Sequence, residues 1–292
     1  MTHSLLKVLF SLLGLLPLFL RRWIALFVGY LIGSLPLRDR NVAVLQIKRF
    51  LPDVPAEKTA RRVFQSISQT LLESINLTPL LNNVESCIEC PNSKFIDELL
   101  SRERPIVALT AHTGNWELMA AYMVKRGVPL ATVGRPAHND SLQKLLADIR
   151  AQYGVKTLWR NKQNSLKDLL VELREGKTVA ALIDQDTRVS SVFSPFFGVP
   201  ARSPSGLVAL GKRFQASLVT AFNVRTGPSR YTIFVEELDS SLTIEQMVDE
   251  FNLRLEHIVR SYPEQWVWFH KRWRSSPEHG TLSTSQYIEH LE

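Results

Sequence analysis

From residue 104 onward, short apolar runs alternate with longer amphipathic segments, and this rhythm limits the possible folds more than any other feature of the chain. The runs Ile106–Thr110 (IVALT), 130–134 (LATVG), 155–159 (VKTLW), 178–183 (TVAALI), 217–223 and 231–236 predict strands. The segments near 115–126, 140–153, 164–175, 204–214 and 242–261 predict helices. Strand-length runs spaced by helix-length segments are the signature of βαβ units, so the expected class is α/β, with a mainly parallel central sheet flanked by helices. Thr226-Gly227-Pro228-Ser229 between the last two runs predicts a turn, and hence an antiparallel hairpin. Upstream, Val63, Ile67, Leu71 and Ile75 recur at helical spacing within a helix expected over 56–81.

The N-terminus is different. Residues 5–36 are almost wholly apolar, with Lys7, Arg21 and Arg22 as the only charges. Neither uninterrupted stretch, 8–20 or 23–36, reaches the roughly 20 residues a spanning helix needs. The expectation is a short hydrophobic helical anchor that dips into one leaflet, with the arginines reaching lipid phosphates, or a helical hairpin near the interface. The chain therefore divides into a membrane anchor (1–36), a helical basic segment packing on the core (37–103), an α/β catalytic core (104–276) and a polar tail (277–292) expected to fray. Positive charge just after an anchor favours the cytoplasmic side of a membrane.

Two cysteines cannot staple 292 residues, which excludes a disulfide-built secreted domain. Cys87 and Cys90 have C-x-x-C spacing but no second pair, so they offer two ligands where a structural zinc needs four, and no metal site is expected. Thirty-five basic against 28 acidic residues give a net charge of +7, which invites an acidic partner. The Trp266–Arg274 stretch mixes tryptophans with cations and suits a lipid interface. Nucleic acid is not expected, because no helix-turn-helix, zinc finger or RNA-binding block is visible.

In an open parallel sheet, function gathers at the carboxyl ends of strands. There the first core strand runs into Ala111-His112-Thr113-Gly114-Asn115-Trp116-Glu117. If a helix starts near Gly114 or Asn115, Glu117 falls in its first turn and its carboxylate is able to fold back onto the His112 imidazole. A carboxylate on one ring nitrogen fixes the tautomer and leaves the other nitrogen as a general base. Glu117 is equally an ordinary residue of a helix's first turn, and Asn115 an ordinary cap. Other strand ends offer Arg135, for an oxyanion or an acceptor phosphate, and Asp184 and Asp186, for an acceptor sugar or for ordering the loop with Arg188. Phe193, Phe196 and Phe197 are candidate walls of an apolar slot, and His3, His138, His257, His279 and His290 lack partner spacing.

The stretch HTGNWE (112–117), with its H-x4-E spacing, resembles the signature of the lysophospholipid acyltransferase superfamily, and more closely that of its late lipid A acyltransferase branch, the lauroyl/myristoyl transferases of Gram-negative bacteria. Three further blocks resemble that branch in order: VGRP (133–136), IDQD (183–186) with VFSPFFG (192–198), and PEQWVWFHKRW (263–273). With the apolar N-terminus, the resemblance covers residues 1–275. It implies an O-acyltransferase at the cytoplasmic face of the inner membrane, moving a fatty acyl chain from acyl carrier protein to a hydroxyl of a lipid A precursor. His112 would act as base and Glu117 as its brace; Asn115, Arg135, Asp184, Asp186, Arg188, Phe196 and Phe197 are the candidates of this chain for contacting substrate. It implies no cofactor and no covalent intermediate, which agrees with the lack of a G-x-S-x-G elbow. The alternatives are another acceptor (a lysophospholipid, glycolipid or aminolipid), an acyl-CoA donor and, more remotely, a metal-dependent glycosyltransferase that uses Asp184-Gln185-Asp186 as a D-x-D site.

Overall fold

The computed structural model describes residues 3–136, 139–160 and 165–292. His138, and residue 164 of the expected helix 164–175, lie outside them. The chain opens with α1 (His3–Leu15), α2 (Leu18–Ser34), α3 (Arg38–Phe50) and α4 (Ala56–Ser74). Two single turns, α5 (Thr78–Leu81) and α6 (Val84–Cys87), lead into the short strand β1 (Ile88–Glu89) and helix α7 (Ser93–Ser101). The core then runs β2 (Ile106–Thr110), α8 (Trp116–Lys125), β3 (Leu130–Gly134), α9 (Asp140–Gln152), β4 (Lys156–Trp159), α10 (Ser165–Arg174) and β5 (Thr178–Leu182). It continues through β6 (Ser191–Phe196), β7 (Val199–Pro204), α11 (Gly206–Arg213), β8 (Ser217–Gly227), β9 (Arg230–Glu237), α12 (Ile244–Ser261) and, near the C-terminus, α13 (Thr284–Leu291).

Seven strands form one sheet in the order β1-β9-β8-β2-β5-β3-β4. The five from β8 to β4 are mutually parallel, and β9 returns antiparallel to β8 as the turn at 226–229 requires. Parallel strands are covered on both faces, and the alternation along each strand sorts its side chains between two cores. Val107 and Leu109 of β2 face the core built with α3, α4, α11 and α12, whereas Ile106 faces the one built with α7 and α8. The β6–β7 hairpin was not foreseen. Its turn, Phe197-Gly198, has φ of +52° and +72°, and its strands read as a phenylalanine-rich stretch rather than an alternating pattern.

Pro17 separates α1 from α2, because a proline cannot supply the amide that a continuous helix would need. Among the described residues no single helix is long and apolar enough to cross a membrane; α2 and α3 meet that test only as a pair bent by 84°. Helix α2 instead lies against α4. A β-carbon at Gly29 would fall 2.4 Å from the Gln65 Cα, so that crossing requires glycine. The arginines do not both reach outward as expected. Arg21 is buried and donates to the carbonyls of Asn76 (3.0 Å) and Leu72 (3.3 Å), since the α4 C-terminus offers acceptors that the apolar helix lacks. The opposite face of α2 exposes Phe19, Trp23, Phe27 and Leu31 in a strict i, i+4 stripe.

The C-terminal tail is likewise not frayed. Ser283 and Gln286 form a capping box on α13, and the buried Tyr287 hydroxyl donates to Gln46 Oε1 at 2.7 Å. Cys87 and Cys90 are both free thiols.

Candidate active site

His112 lies two residues past the end of β2, where the ladder stops and the chain turns toward α8. The turn is fixed from below. Gly114 adopts φ +54° with its Cα against Asn223, where a β-carbon would lie 2.5 Å from the carbonyl oxygen. Asn115 caps α8 by accepting from the Leu118 amide (3.0 Å), and its own amide nitrogen donates to Glu73 of α4 (3.1 Å). Glu73 also accepts from Arg225 (2.9 Å) and from the Tyr231 hydroxyl. Asn115 is therefore fully buried and serves as the helix cap, one of the two roles its position in the sequence offers.

The imidazole is braced, but by a different acid from the one anticipated. Asp184, at the end of β5, accepts from the His112 backbone amide with Oδ2 (3.0 Å) and lies 2.9 Å from His112 Nδ1 with Oδ1. Trp266 Nε1 donates to Oδ2 from the far side (3.0 Å). Burial alone would push the Asp184 carboxyl up. The neighbouring His112 and the hydrogen bonds from His112 and Trp266 outweigh it, holding the carboxyl at about 2. An ionised Asp184 accepts a hydrogen bond from Nδ1–H and keeps the proton on that nitrogen, so Nε2 carries the free lone pair.

Glu117 does lie in the first turn of α8, as expected, but its carboxylate does not fold back onto His112. It is held by Arg150 of α9 through two N–H bonds, Nε to Oε2 at 2.8 Å and Nη2 to Oε1 at 2.5 Å. A forked guanidinium is a better partner for a carboxylate than one imidazole N–H, and Asp184 already fills the Nδ1 position.

His112 stands at the mouth of a cavity of about 610 Å³. One arm runs under the α8 face of the sheet, floored by Ala108, Thr110, Ala180 and Ala221 and roofed by Met119 and Met123. The registers Ala108↔Ala180 and Thr110↔Ala221 place the small floor residues side by side, and this leaves the channel open. It extends from Thr110 down to Ile106, four strand steps or about 13 Å. The lining also includes residues of the opposite face, among them Ala181, Leu207 and Leu210.

Several expected contacts move. Arg135 lines the mouth and is exposed, beside Arg160 at the end of the adjacent strand. Asp186 lines the cavity and is buried. Arg188 is exposed and takes no part in the lining. Phe196 and Phe197 do not wall the cavity. They pack with Trp273, the Phe196 ring stacking on it at 5.5 Å, because the β6–β7 hairpin turns both into the aromatic core. Phe193 is exposed. The D-x-D reading has no geometry: Asp184 is turned inward onto His112 and Trp266, and among the described residues no group of three His, Cys, Asp or Glu is arranged to hold a metal ion. Arg150, Trp266 and His270, which also lines the cavity, were not anticipated as site residues. They come from α9 and from the segment after α12, outside the strand ends at which the sequence placed its candidates.

The site thus combines a His–Asp pair at strand ends with a long, largely apolar channel. Comparison with known proteins makes the class specific. Residues 1–275 match the family described as bacterial lipid A biosynthesis acyltransferase, and the chain belongs to that family of acyltransferases. It is 27% identical over 270 residues to the lipid A biosynthesis palmitoleoyltransferase of Escherichia coli (strain K12), covering 86% of this chain and 85% of that protein. It is 24% identical over 177 residues to the phosphatidylinositol mannoside acyltransferase of Mycolicibacterium smegmatis, covering 60% of this chain and 58% of that one.

Proposed function

We propose that this protein transfers a fatty acyl chain from an acyl carrier protein thioester to a hydroxyl of a lipid A precursor, at the cytoplasmic face of the inner membrane. The observation that carries the reading is the His112–Asp184 pair at the mouth of the apolar channel. The donor chain lies in the arm floored by Ala108, Ala180 and Ala221. His112 Nε2 takes the acceptor's hydroxyl proton as the oxygen attacks the thioester carbonyl. Asp184 keeps the proton on Nδ1 and stabilises the imidazolium that forms. The tetrahedral intermediate collapses, the C–S bond breaks, and His112 returns the proton to the leaving sulfur, giving an ester and a free thiol. The cationic mouth, with Arg135 as the candidate group for the oxyanion, suits developing negative charge. Glu117 acts through Arg150, holding α9 against the mouth.

The net charge of +7 favours an acidic carrier, and the exposed Phe19, Trp23, Phe27 and Leu31 stripe suits an interfacial helix. A second acceptor class, a mannosylated phospholipid, is supported by the mycobacterial relative. The test is transfer of labelled acyl chain from acyl carrier protein, or from CoA in a parallel arm, to a lipid A precursor and to a mannosylated phospholipid. His112→Ala is expected to lose activity by a factor of roughly 10³ or more. Near wild-type turnover in that variant overturns the mechanism, and transfer to the second acceptor alone overturns the substrate.

A further inference from the structure

The His112–Asp184 pair leaves a second group of buried polar atoms on the same cavity without a role. Both carboxylate oxygens of Asp186, the Thr187 hydroxyl and Nδ1 of His270 are buried and have no hydrogen-bond partner, and all three residues line the cavity. Asp186 as a whole is only 4% exposed. A buried carboxylate without a donor is costly, so such a group signals something that arrives to complete it. Among the polar neighbours, Asp184 and the guanidinium tips of Arg272 are paired, whereas Arg272 Nε and the Thr110 hydroxyl also lack partners. Asp184 takes three N–H contacts, and the buried Arg272 donates to the Arg202 carbonyl and to Ser203.

The chemistry of the missing partner follows from what already surrounds the group. The buried Arg272 interacts electrostatically with both Asp184 and Asp186 and supplies positive charge to them. A further cation is not what Asp186 lacks; it lacks short-range donors. Burial holds the His270 imidazole down at about 3, so this ring is neutral and offers one donor or one acceptor. An acceptor-only carboxylate, a hydroxyl and a neutral imidazole side by side match a ligand that carries several neutral O–H groups. Their place in the cavity says which substrate brings them. Asp186 and Thr187 follow the end of β5 by four and five residues, on the segment leading into β6, whereas the Ala-floored channel runs down the strands from Thr110 toward Ile106.

We propose that Asp186, Thr187 and His270 form a recognition site for a polyhydroxylated, sugar-like head group of the acceptor. This deepens the proposed function and rests on it for the position of the donor chain. Asp186 is a positioning residue here: it orients the acceptor so that one hydroxyl reaches His112 Nε2.

The test compares two acceptors in detergent, a disaccharide-headed lipid and a long-chain lipid with a single hydroxyl, using wild type, Asp186→Asn and His270→Gln. Asp186→Asn is expected to raise KM for the disaccharide lipid at least tenfold. KM for the single-hydroxyl lipid and KM for the acyl donor should change less than threefold. Thermal melting of each variant separates misfolding from recognition. Equal loss on both acceptors overturns the proposal, as does a rise in donor KM, which would assign the group to the amides of a pantetheine arm. Binding of the labelled disaccharide lipid to the inactive His112→Ala protein supplies the independent arm. Asp186→Asn in that background should weaken binding tenfold even if the acyl-transfer chemistry proves to be different. Unchanged binding there refutes the site whatever the reaction.

Discussion

Replacing Asp184 by asparagine separates the Glu117 brace expected from the sequence from the Asp184 brace present in the structure. The side chain keeps its shape and loses its charge. In the folded protein the carboxyl sits at about 2 against an ordinary 3.8, so its favourable contacts outweigh its burial by about 2 kcal/mol, roughly a factor of 50. Most of that stabilisation comes from His112, and its coulombic part is present only when the imidazole carries a proton, as it does in the transition state. Asparagine also allows the ring to settle in the wrong tautomer, with Nδ1 accepting from the amide and Nε2 no longer a base. Together these effects should slow turnover by roughly two to four orders of magnitude with little change in either KM. Single-turnover transfer from labelled acyl carrier protein thioester measures it. Glu117→Gln, which touches only the Arg150 pair, should cost less than tenfold. If Glu117→Gln proves the more damaging change and Asp184→Asn turns over near the wild-type rate, the Asp184 assignment fails.

Ala180→Leu places a branched side chain two strand steps below Thr110, leaving about 7 Å of channel, or about six bonds at roughly 1.1 Å each. Donors longer than about six carbons should lose tenfold or more in kcat/KM while shorter ones are spared, as a chain-length series would read. His270 is held neutral in the fold at about 3 and titrates at 6.5 when unfolded, so the unfolded chain binds the extra proton first. Its contribution is complete above pH 6.5 and is lost as pH falls from there toward 3. Melting temperature should therefore drop between pH 7 and 4 in the wild type and drop less in His270→Gln. Trp23→Ser with Phe27→Ser removes two exposed aromatics at about 1.5 to 3 kcal/mol of burial each. Co-sedimentation with anionic vesicles should weaken at least tenfold while the melting temperature stays within a few degrees.

The core sheet was legible because its signal is local. Five-residue apolar runs such as 106–110 and 178–182 sit between helices with their own period, and the hairpin turn at 226–229 names the one reversal among the long strands. The β6–β7 hairpin was not legible, since Ser191–Phe196 owes its extended form to a two-residue left-handed turn and to packing on Trp273 rather than to alternation. The direction of Arg21 was hidden for a related reason. Whether an arginine in an apolar helix faces lipid or protein depends on whether a second helix ends beside it, and the α4 carbonyls that receive it lie about fifty residues away.

The position of His112 was readable from the strand that precedes it, but its partner was not, and the reason is geometric. Five residues separate His112 from Glu117, yet a strand and a helix meet between them at Gly114, and the helix axis carries the first-turn carboxylate toward α9 rather than back over the strand end. Asp184 is 72 residues distant, but β2 and β5 are hydrogen-bonded neighbours in register, Thr110 opposite Leu182. Two residues past that matched pair, the chains still run side by side, so His112 and Asp184 emerge from the sheet edge together. In a parallel sheet the residues able to share a proton are those at equal height on adjacent strands, so strand order decides the pairing and sequence separation is a poor guide to it. The order β2-β5-β3 interposes β5 between strands consecutive in the chain, which is why the nearest acid in sequence is not the acid that braces the base.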